Sequence, residues 1–262
     1  MYNISNEKLP TDFKNSKFVM ISDMHNSFYG KNNEKVLNTI KDINPDFIVI
    51  AGDMPVANTE NETINLKTAQ FITDLADISD IYYGFGNHEE RMMEKELLKD
   101  SWEKYYDVIK TYKGSHNIYC MNNNMLRIYK DKSFINIFGL NLELKFYQRF
   151  SNEKLEADEI IEKVGEPDKA LYNIIIAHNP DYFESYVGWG ADLILSGHVH
   201  GGMVRLPFIG GVISPKPRLF PHFDYGKYEK DKSIMLLSNG LGSHSIKLRI
   251  NNIPEIVVIQ FE

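Results

Sequence analysis

Five of the eight histidines in this 262-residue chain fall at the end of a short apolar run. Asp23-Met24-His25 closes Lys17–Ser22, and Gly52-Asp53 closes Asp46–Ala51. Gly86-Asn87-His88-Glu89 closes Ile81–Phe85, and His178-Asn179-Pro180 closes Leu171–Ala177. Gly197-His198-Val199-His200 follows the apolar run Leu193–Ser196. Imidazole nitrogen combined with carboxylate and amide oxygen, without thiolate, suits borderline first-row divalent ions such as Mn, Fe, Co, Ni or Zn. Any one of these histidines alone would read as a satisfied residue near the core. Five of them beside Asp23, Asp53 and Asn87 are too many for that reading, and too many for one tetrahedral zinc. The donor set fits two adjacent ions sharing a carboxylate, with positions left open to water and substrate. In an extended segment, His198 and His200 at i and i+2 would turn their rings to the same side.

These residues need a scaffold that brings distant runs of chain together. The apolar runs read as buried strands, and helical spacing lies between them. Val36, Ile40 and Ile43 mark one helix, closed by Pro45; Ile64, Thr68, Phe71, Leu75 and Ile78 mark the next. Strand and helix in alternation predict right-handed crossovers and a mainly parallel sheet. Ligands of such sheets bind beyond the carboxyl ends of the strands, where the polar clusters stand. One long helix is expected over 90–113, with Leu98, Trp102, Tyr105 and Ile109 as a core stripe. Strands over 117–120, 125–129 and 133–140 predict an antiparallel meander, turned at Asn122-Asn123-Asn124. The charged stretch 146–168 reads as a loop plus one exposed, solvated helix. With Pro207, Pro215, Pro217 and Pro221, the segment 205–232 is expected to be a long irregular excursion. Its apolar residues and Arg205, Lys216 and Arg218 fit a loop packed on its own domain; the alternatives are a lip for an amphiphilic or nucleotide substrate, or peripheral contact with a membrane. Strands over 233–238, 246–250 and 255–261 finish the chain. No repeat or linker interrupts it, so a single domain over 1–262 with two facing sheets is the economical reading.

Composition sets the outer limits. A formal charge of −7 argues against stable nucleic-acid binding, which normally needs a basic face. A site can still be locally positive and take an anionic substrate. Cys120 is the only cysteine, so no intrachain disulfide forms and a reducing compartment is expected. Met1–Lys17 carries no apolar targeting region, and no window approaches the ~18 apolar residues of a membrane span. The expected location is the cytoplasm. His116, His222 and His244 attract no role.

As a set, in this order over residues 17 to about 202, the motifs resemble the calcineurin-like metallophosphoesterases. The resemblance implies an α/β fold, a four-layer αββα sandwich of two facing mixed sheets flanked by helices, with a dinuclear metal site at the sheet edge. It implies that Asp23, His25 and His200 hold one ion and that Asn87, His178 and His198 hold the other. Asp53 would bridge them, and His88 would stand unliganded beside the substrate. Gly201-Gly202-Met203-Val204-Arg205-Leu206-Pro207, Gly210-Gly211, Asn239-Gly240-Leu241-Gly242-Ser243 and 249–256 are similar to a bacterial branch of phosphodiesterases or UDP-2,3-diacylglucosamine pyrophosphohydrolase-like enzymes. Members of that branch often carry an export signal or membrane anchor, and neither is found here.

The chemistry that follows is phosphoester hydrolysis with two divalent transition-metal ions, Mn favoured over Fe, Ni, Co or Zn. Two such ions offset by Asp23 and Asp53 leave about +2, enough to hold a phosphoryl oxygen. Metal lowers the pKa of bound water from about 15.7 to roughly 7, giving a hydroxide nucleophile at neutral pH. His88 is then the expected proton donor to the departing oxygen, a contribution typically of about 10²–10⁴ in rate. The protein Ser/Thr phosphatase branch grips a phosphomonoester dianion with arginines after Gly-Asp and before Gly-Asn-His. Here Met54-Pro55-Val56 and Phe85 occupy those places, which favours a small-molecule phosphodiester. The alternatives are a phosphomonoesterase acting on a small metabolite, and a metal-stabilised scaffold without turnover.

Overall fold

The computed structural model describes residues 1–148, 153–201, 204–206, 210–213, 223–242 and 252–262, the short stretches 204–206 and 210–213 as backbone only. The expected strand 246–250, His222, His244, and motif residues Gly202, Met203, Pro207 and Ser243 lie outside them, as does most of the proline-rich segment.

In chain order the elements are β1 (Tyr2–Ile4), β2 (Lys17–Ile21), α1 (Glu34–Ile43), β3 (Phe47–Ala51), α2 (Glu62–Ala76), β4 (Ile81–Gly84), α3 (Asn87–Glu94), α4 (Glu96–Lys110) and β5 (Ile118–Met121). There follow β6 (Asn124–Lys130), β7 (Ser133–Leu140), α5 (Ala157–Val164), β8 (Asn173–Ala177), α6 (Phe183–Trp189) and β9 (Leu193–Ser196). The last are β10 (Val204–Leu206), β11 (Gly210–Ile213), β12 (Gly226–Lys230), β13 (Ser233–Leu237) and β14 (Val257–Phe261). Two mixed six-stranded sheets result, ordered β1-β14-β2-β3-β4-β5 and β12-β13-β9-β8-β7-β6, with β10 and β11 forming a separate antiparallel pair. Within the first sheet β2 to β5 run parallel; within the second, β7, β8, β9 and β13 do.

The strands are apolar on both faces because each sheet is covered twice. Side chains alternate along a strand. Phe18 and Met20, Phe47 and Val49, Ile174 and Ile176, Leu193 and Leu195 all meet in a core between the sheets. The alternate residues Val19, Ile21, Ile48 and Ile50 pack outward against Val36 and Ile40 of α1 and Phe71 and Leu75 of α2. On the far side, Ile175 and Ile194 pack against Ile160 of α5 and Tyr186 of α6. Three cores separate four layers, helices–sheet–sheet–helices, as the resemblance implies.

Four expectations change. The long helix is two: Lys95 is extended (φ −83°, ψ 119°), its N–H closing α3 on Arg91 O and its carbonyl opening α4 on Leu98 N. The meander does not form, because β5 pairs parallel with β4 in the first sheet while β6 pairs antiparallel with β7 in the second. The asparagine turn therefore carries the chain from one sheet to the other. α5 is amphipathic rather than wholly solvated, burying Ile160 and Val164. The excursion contains strand: β10 pairs with β11, and β12 forms an edge. Only three residues long, β1 adds itself parallel to β14 without a periodic signal in the sequence.

Candidate metal centre

The carboxyl ends of β2 and β3 in one sheet, and of β8 and β9 in the other, bring Asp23, His25, Asp53, His178, His198 and His200 to one edge of the sandwich, and β4 leads there into α3, which opens on Asn87 and His88. The strands stop abruptly there. Asp23 (φ 50°), His25 (44°), Asp53 (57°), His198 (76°) and His200 (53°) all take left-handed backbone conformations. Asp and His tolerate that region better than most residues, yet each instance costs about 1–3 kcal/mol and tends to occur where function holds it. This also corrects the extended His-x-His expectation. The two rings part, His200 joining Asp23 and His25 while His198 joins Asp53 and His178.

Neighbouring loops hold the pieces in register. Asp23 N–H donates to Gly52 O at 2.9 Å, and His25 N–H to Asp53 O at 3.2 Å. His198 N–H donates to the Asp23 carboxylate at 3.0 and 3.1 Å, and Ser22 Oγ donates to its Oδ2 at 2.6 Å. Asp23 Oδ1 then faces inward, 3.4 Å from His200 Nε2 and 3.8 Å from His178 Nε2. Asp53 Oδ1 accepts from His88 N–H at 2.8 Å, leaving Oδ2 between His178 Nε2 at 3.2 Å and His25 Nε2 at 3.7 Å. Asp53 thus has one oxygen tied to the fold and one turned to the centre, whereas the two oxygens of Asp23 share the His198 N–H and Oδ1 also faces the imidazoles.

The backbone also sets the imidazole tautomers. His178 Nδ1–H donates to Ala51 O at 2.6 Å and His200 Nδ1–H to Gly242 O at 3.3 Å, so each neutral ring presents a bare Nε2. Histidines that ligate metals are commonly held in this way, the other ring nitrogen donating to a carbonyl or carboxylate. His88 is the reverse: Ala57 N–H donates to its Nδ1 at 2.9 Å, so the neutral ring carries its proton on Nε2. The His88 and His25 rings meet edge to face at 4.7 Å.

Three groups of described residues can hold a cation: Asp23, His25 and His200; Asp53, His178 and His198; and His25, Asp53 and His88. Divalent ions fit this donor set on three observations. His25 Nε2 and His200 Nε2 stand 3.0 Å apart, close to the spacing of two nitrogens each about 2.1 Å from one ion. The buried Asn87 Oδ1 and His178 Nε2 have no hydrogen-bond partner. Burial disfavours a charged His178, but Asp53 and Asp23 outweigh it and raise this imidazole to about 10. Burial also opposes ionisation of Asp53, yet His178, His88 and His25 hold its carboxyl well below the usual range. The buried carboxylates therefore call for positive charge, as protons or as metal. Asn87 stands in the first turn of α3, next to His88.

Two residues went unassigned in the sequence. Glu89, wholly buried, accepts from Asp53 N, Met54 N and Gly86 N at 2.9–3.0 Å and from Tyr83 OH at 2.6 Å. It ties the β3 loop to the start of α3; a glutamate three residues after Gly86 is the helix-start signal that would have marked it. Tyr147 packs its ring 5.2 Å from His198, inside a stretch whose charges masked it. His116 is exposed.

The chain belongs to the calcineurin-like phosphoesterase family, whose profile matches residues 16–202. It is 25% identical over 271 residues to the uncharacterized metallophosphoesterase YkuE of Bacillus subtilis, spanning 98% of this chain and 82% of that one. It is 22% identical over 291 residues to the UDP-2,3-diacylglucosamine pyrophosphatase LpxG of Chlamydia muridarum, spanning 93% and 83%. To the phosphodiesterase YaeI of Escherichia coli it is 31% identical over 90 residues, 34% of this chain and 32% of the other. Family membership makes it a metal-dependent phosphoric ester hydrolase. Among the described residues no helix is long and apolar enough to cross a membrane.

Proposed function

We propose that this member of the family is a phosphodiesterase with a dinuclear centre, in which Asp23, His25 and His200 hold one ion, Asn87, His178 and His198 the other, and Asp53 both. The observation that carries the reading is the placement of Asp53 Oδ2 between His25 and His178, one from each set. Bound divalent ions supply an activated water near neutral pH and draw off charge from the phosphoryl oxygens. The protein does the rest. Asp23 and Asp53 fix the spacing, Ala51 O and Gly242 O orient the rings of His178 and His200, and His88 Nε2–H is the proton donor to the departing oxygen.

The preference for a diester rests on what flanks Asp53 and Asn87. Met54, Pro55 and Phe85 are buried there, so no guanidinium grips a second phosphoryl charge at those two places. The names of LpxG and YaeI, a pyrophosphatase and a phosphodiesterase, support a substrate with two esterified sides. Nitrogen and oxygen donors admit Mn²⁺ along with Fe, Co, Ni and Zn, and a lone, free Cys120 supports a reducing compartment such as the cytoplasm.

The test compares bis-p-nitrophenyl phosphate with p-nitrophenyl phosphate, with Mn²⁺ and with chelator. Faster, chelator-sensitive turnover of the diester is expected; a preference for the monoester overturns the diester assignment, and no turnover of either at full metal occupancy overturns the enzyme. Asp53→Ala is expected to purify with fewer than two metals per chain, and retention of both by elemental analysis would remove its bridging role.

A further inference from the structure

At the end of the sandwich opposite the metal centre, a pocket of about 280 Å³ opens between the two sheets. β3 runs from Phe47 at this pocket to Ala51, just ahead of Asp53, roughly 13 Å of strand. A ladder of rings crosses four strands of the first sheet here. Phe18 stacks on Phe47 at 4.4 Å, Phe47 meets Tyr82 edge to face at 5.8 Å, and Tyr82 stacks on Tyr119 at 5.2 Å. The last three rings line the pocket, with Ile128 of β6 among the residues facing them from the second sheet. At the small end of ligand sites, it has room for a molecule of about one ring.

Most polar groups around the pocket are already used. Lys130 Nζ donates to Asp46 Oδ1 at 2.9 Å and to Ser16 Oγ at 2.8 Å, and Lys17 N–H donates to Asp46 Oδ2 at 2.7 Å. Arg127, at the rim, lies over the ring of Phe134, 4.3 Å from its centroid. That is the outward face of β6, since its neighbour Ile128 packs into the core between the sheets. Two groups are left. Asp80 Oδ1 accepts from Asn117 N at 2.7 Å and Nδ2 at 3.3 Å, with His116 Nδ1 4.0 Å away, but Oδ2 has no partner among the described residues. Tyr82 is only 5% exposed, and its hydroxyl makes no hydrogen bond to a described residue. A buried polar group left in that state is costly, and such groups normally have a partner. Burial, with Asp80 and Tyr119 beside it, raises the Tyr82 hydroxyl above the usual tyrosine range, so it stays neutral and its oxygen can accept.

We propose that this pocket binds a small organic ammonium ion with an aromatic body, its N–H groups donating to Asp80 Oδ2 and Tyr82 Oη and its ring packed on Phe47, Tyr82 and Tyr119. Both unused groups can accept, which selects a donor. The carboxylate selects a charged one, because a hydrogen bond with both partners ionised is roughly twice as strong as a neutral pair. Ring faces attract a cation as well. With Lys130 matched by Asp46, Asp80 leaves the inward-facing lining at −1, in a chain of formal charge −7. An anion would meet Asp80 as a like charge. The site is separate from the phosphoester chemistry, since its lining shares no residue with the groups that can hold a cation.

Calorimetric titration of the Mn²⁺-loaded protein with 2-phenylethylamine tests it, against 2-phenylethanol and 3-phenylpropanoate. These keep the ring and replace the ammonium by a hydroxyl or a carboxylate. The amine is expected to bind once per chain and about tenfold or more tighter than the alcohol, with no binding of the acid. Asp80→Asn, which keeps an acceptor for Asn117 N, should weaken the amine about tenfold or more, and Tyr82→Phe about three- to fivefold. Chelator-treated protein should give the same Kd as the loaded form. A wild type that does not bind the amine, an alcohol or acid bound as tightly, or a Kd unchanged in either variant overturns the inference. So does binding that vanishes with the metal, which would place the amine at the centre instead.

Discussion

His88 and Asp53 meet through the backbone as well as through chemistry: His88 N–H holds Asp53 Oδ1, while Ala57 N–H holds His88 Nδ1. The ring is fixed in one tautomer by a group that takes no part in the reaction. If its Nε2–H is delivered to the departing oxygen, the benefit depends on how basic that oxygen is. His88→Ala should therefore lower turnover of an alkyl phosphodiester by about 10²–10⁴, and that of a p-nitrophenyl diester by about tenfold or less, with both metals retained. Equal losses on the two would remove the proton-donor role. Residue types were readable here because nitrogen and oxygen donors at strand ends have few other reasons to gather. Glu89 was not assigned because its task is to satisfy the backbone N–H groups of Asp53, Met54 and Gly86; its residue type reads as a solvated carboxylate, and only its place three residues into a helix start marks it.

The junctions after β3, β4 and β9 are built tightly enough that a single methyl group, on Gly52, Gly86 or Gly197, would press on a donor. Gly86, between β4 and α3, has ordinary extended backbone (φ −112°), so its need for glycine is steric. An added Cβ would lie 2.4 Å from Asp53 Oδ1 and 2.8 Å from Asp53 N. Gly86→Ala should therefore push the carboxylate off its position and weaken metal binding by about 10–100-fold, as outer-shell changes do, while far-UV circular dichroism stays native. Wild-type metal affinity would show that the junction can yield. The elements themselves were legible wherever apolar runs alternated with helical spacing, as in β2 through β4. They were misread where the sequence carries no punctuation. Lys95 breaks a helix without glycine or proline, so no residue type marks the boundary between α3 and α4. The pairing of β5 depends on which sheet's edge is vacant, and no local pattern records that.

At the scale of the whole molecule, the candidate metal centre lies where the two sheets meet. The first sheet supplies Asp23, His25, Asp53 and Asn87, and the second supplies His178, His198 and His200. Direct bonds already cross the seam: His178 Nδ1 to Ala51 O, His198 N to Asp23, and Leu241 N and Gly242 N to Ser22 O and Asp23 O at 2.9 and 2.7 Å. Two buried carboxylates beside several imidazoles are costly unless positive charge neutralises them. Ions bound across that seam must favour the folded state over the unfolded chain, where the ligands are scattered over almost two hundred positions. A site occupied at a hundred times its Kd adds about 2.7 kcal/mol, and for a chain of this size each kcal/mol corresponds to roughly 2–4 °C in Tm. Two sites filled with Mn²⁺ should therefore raise Tm by roughly 10–20 °C over the chelator-treated protein, and Asp53→Ala should lose most of that response. Because the readout is calorimetric, it separates the centre from catalysis: a Tm indifferent to metal would mean that the donors meet without binding, whatever the activity shows.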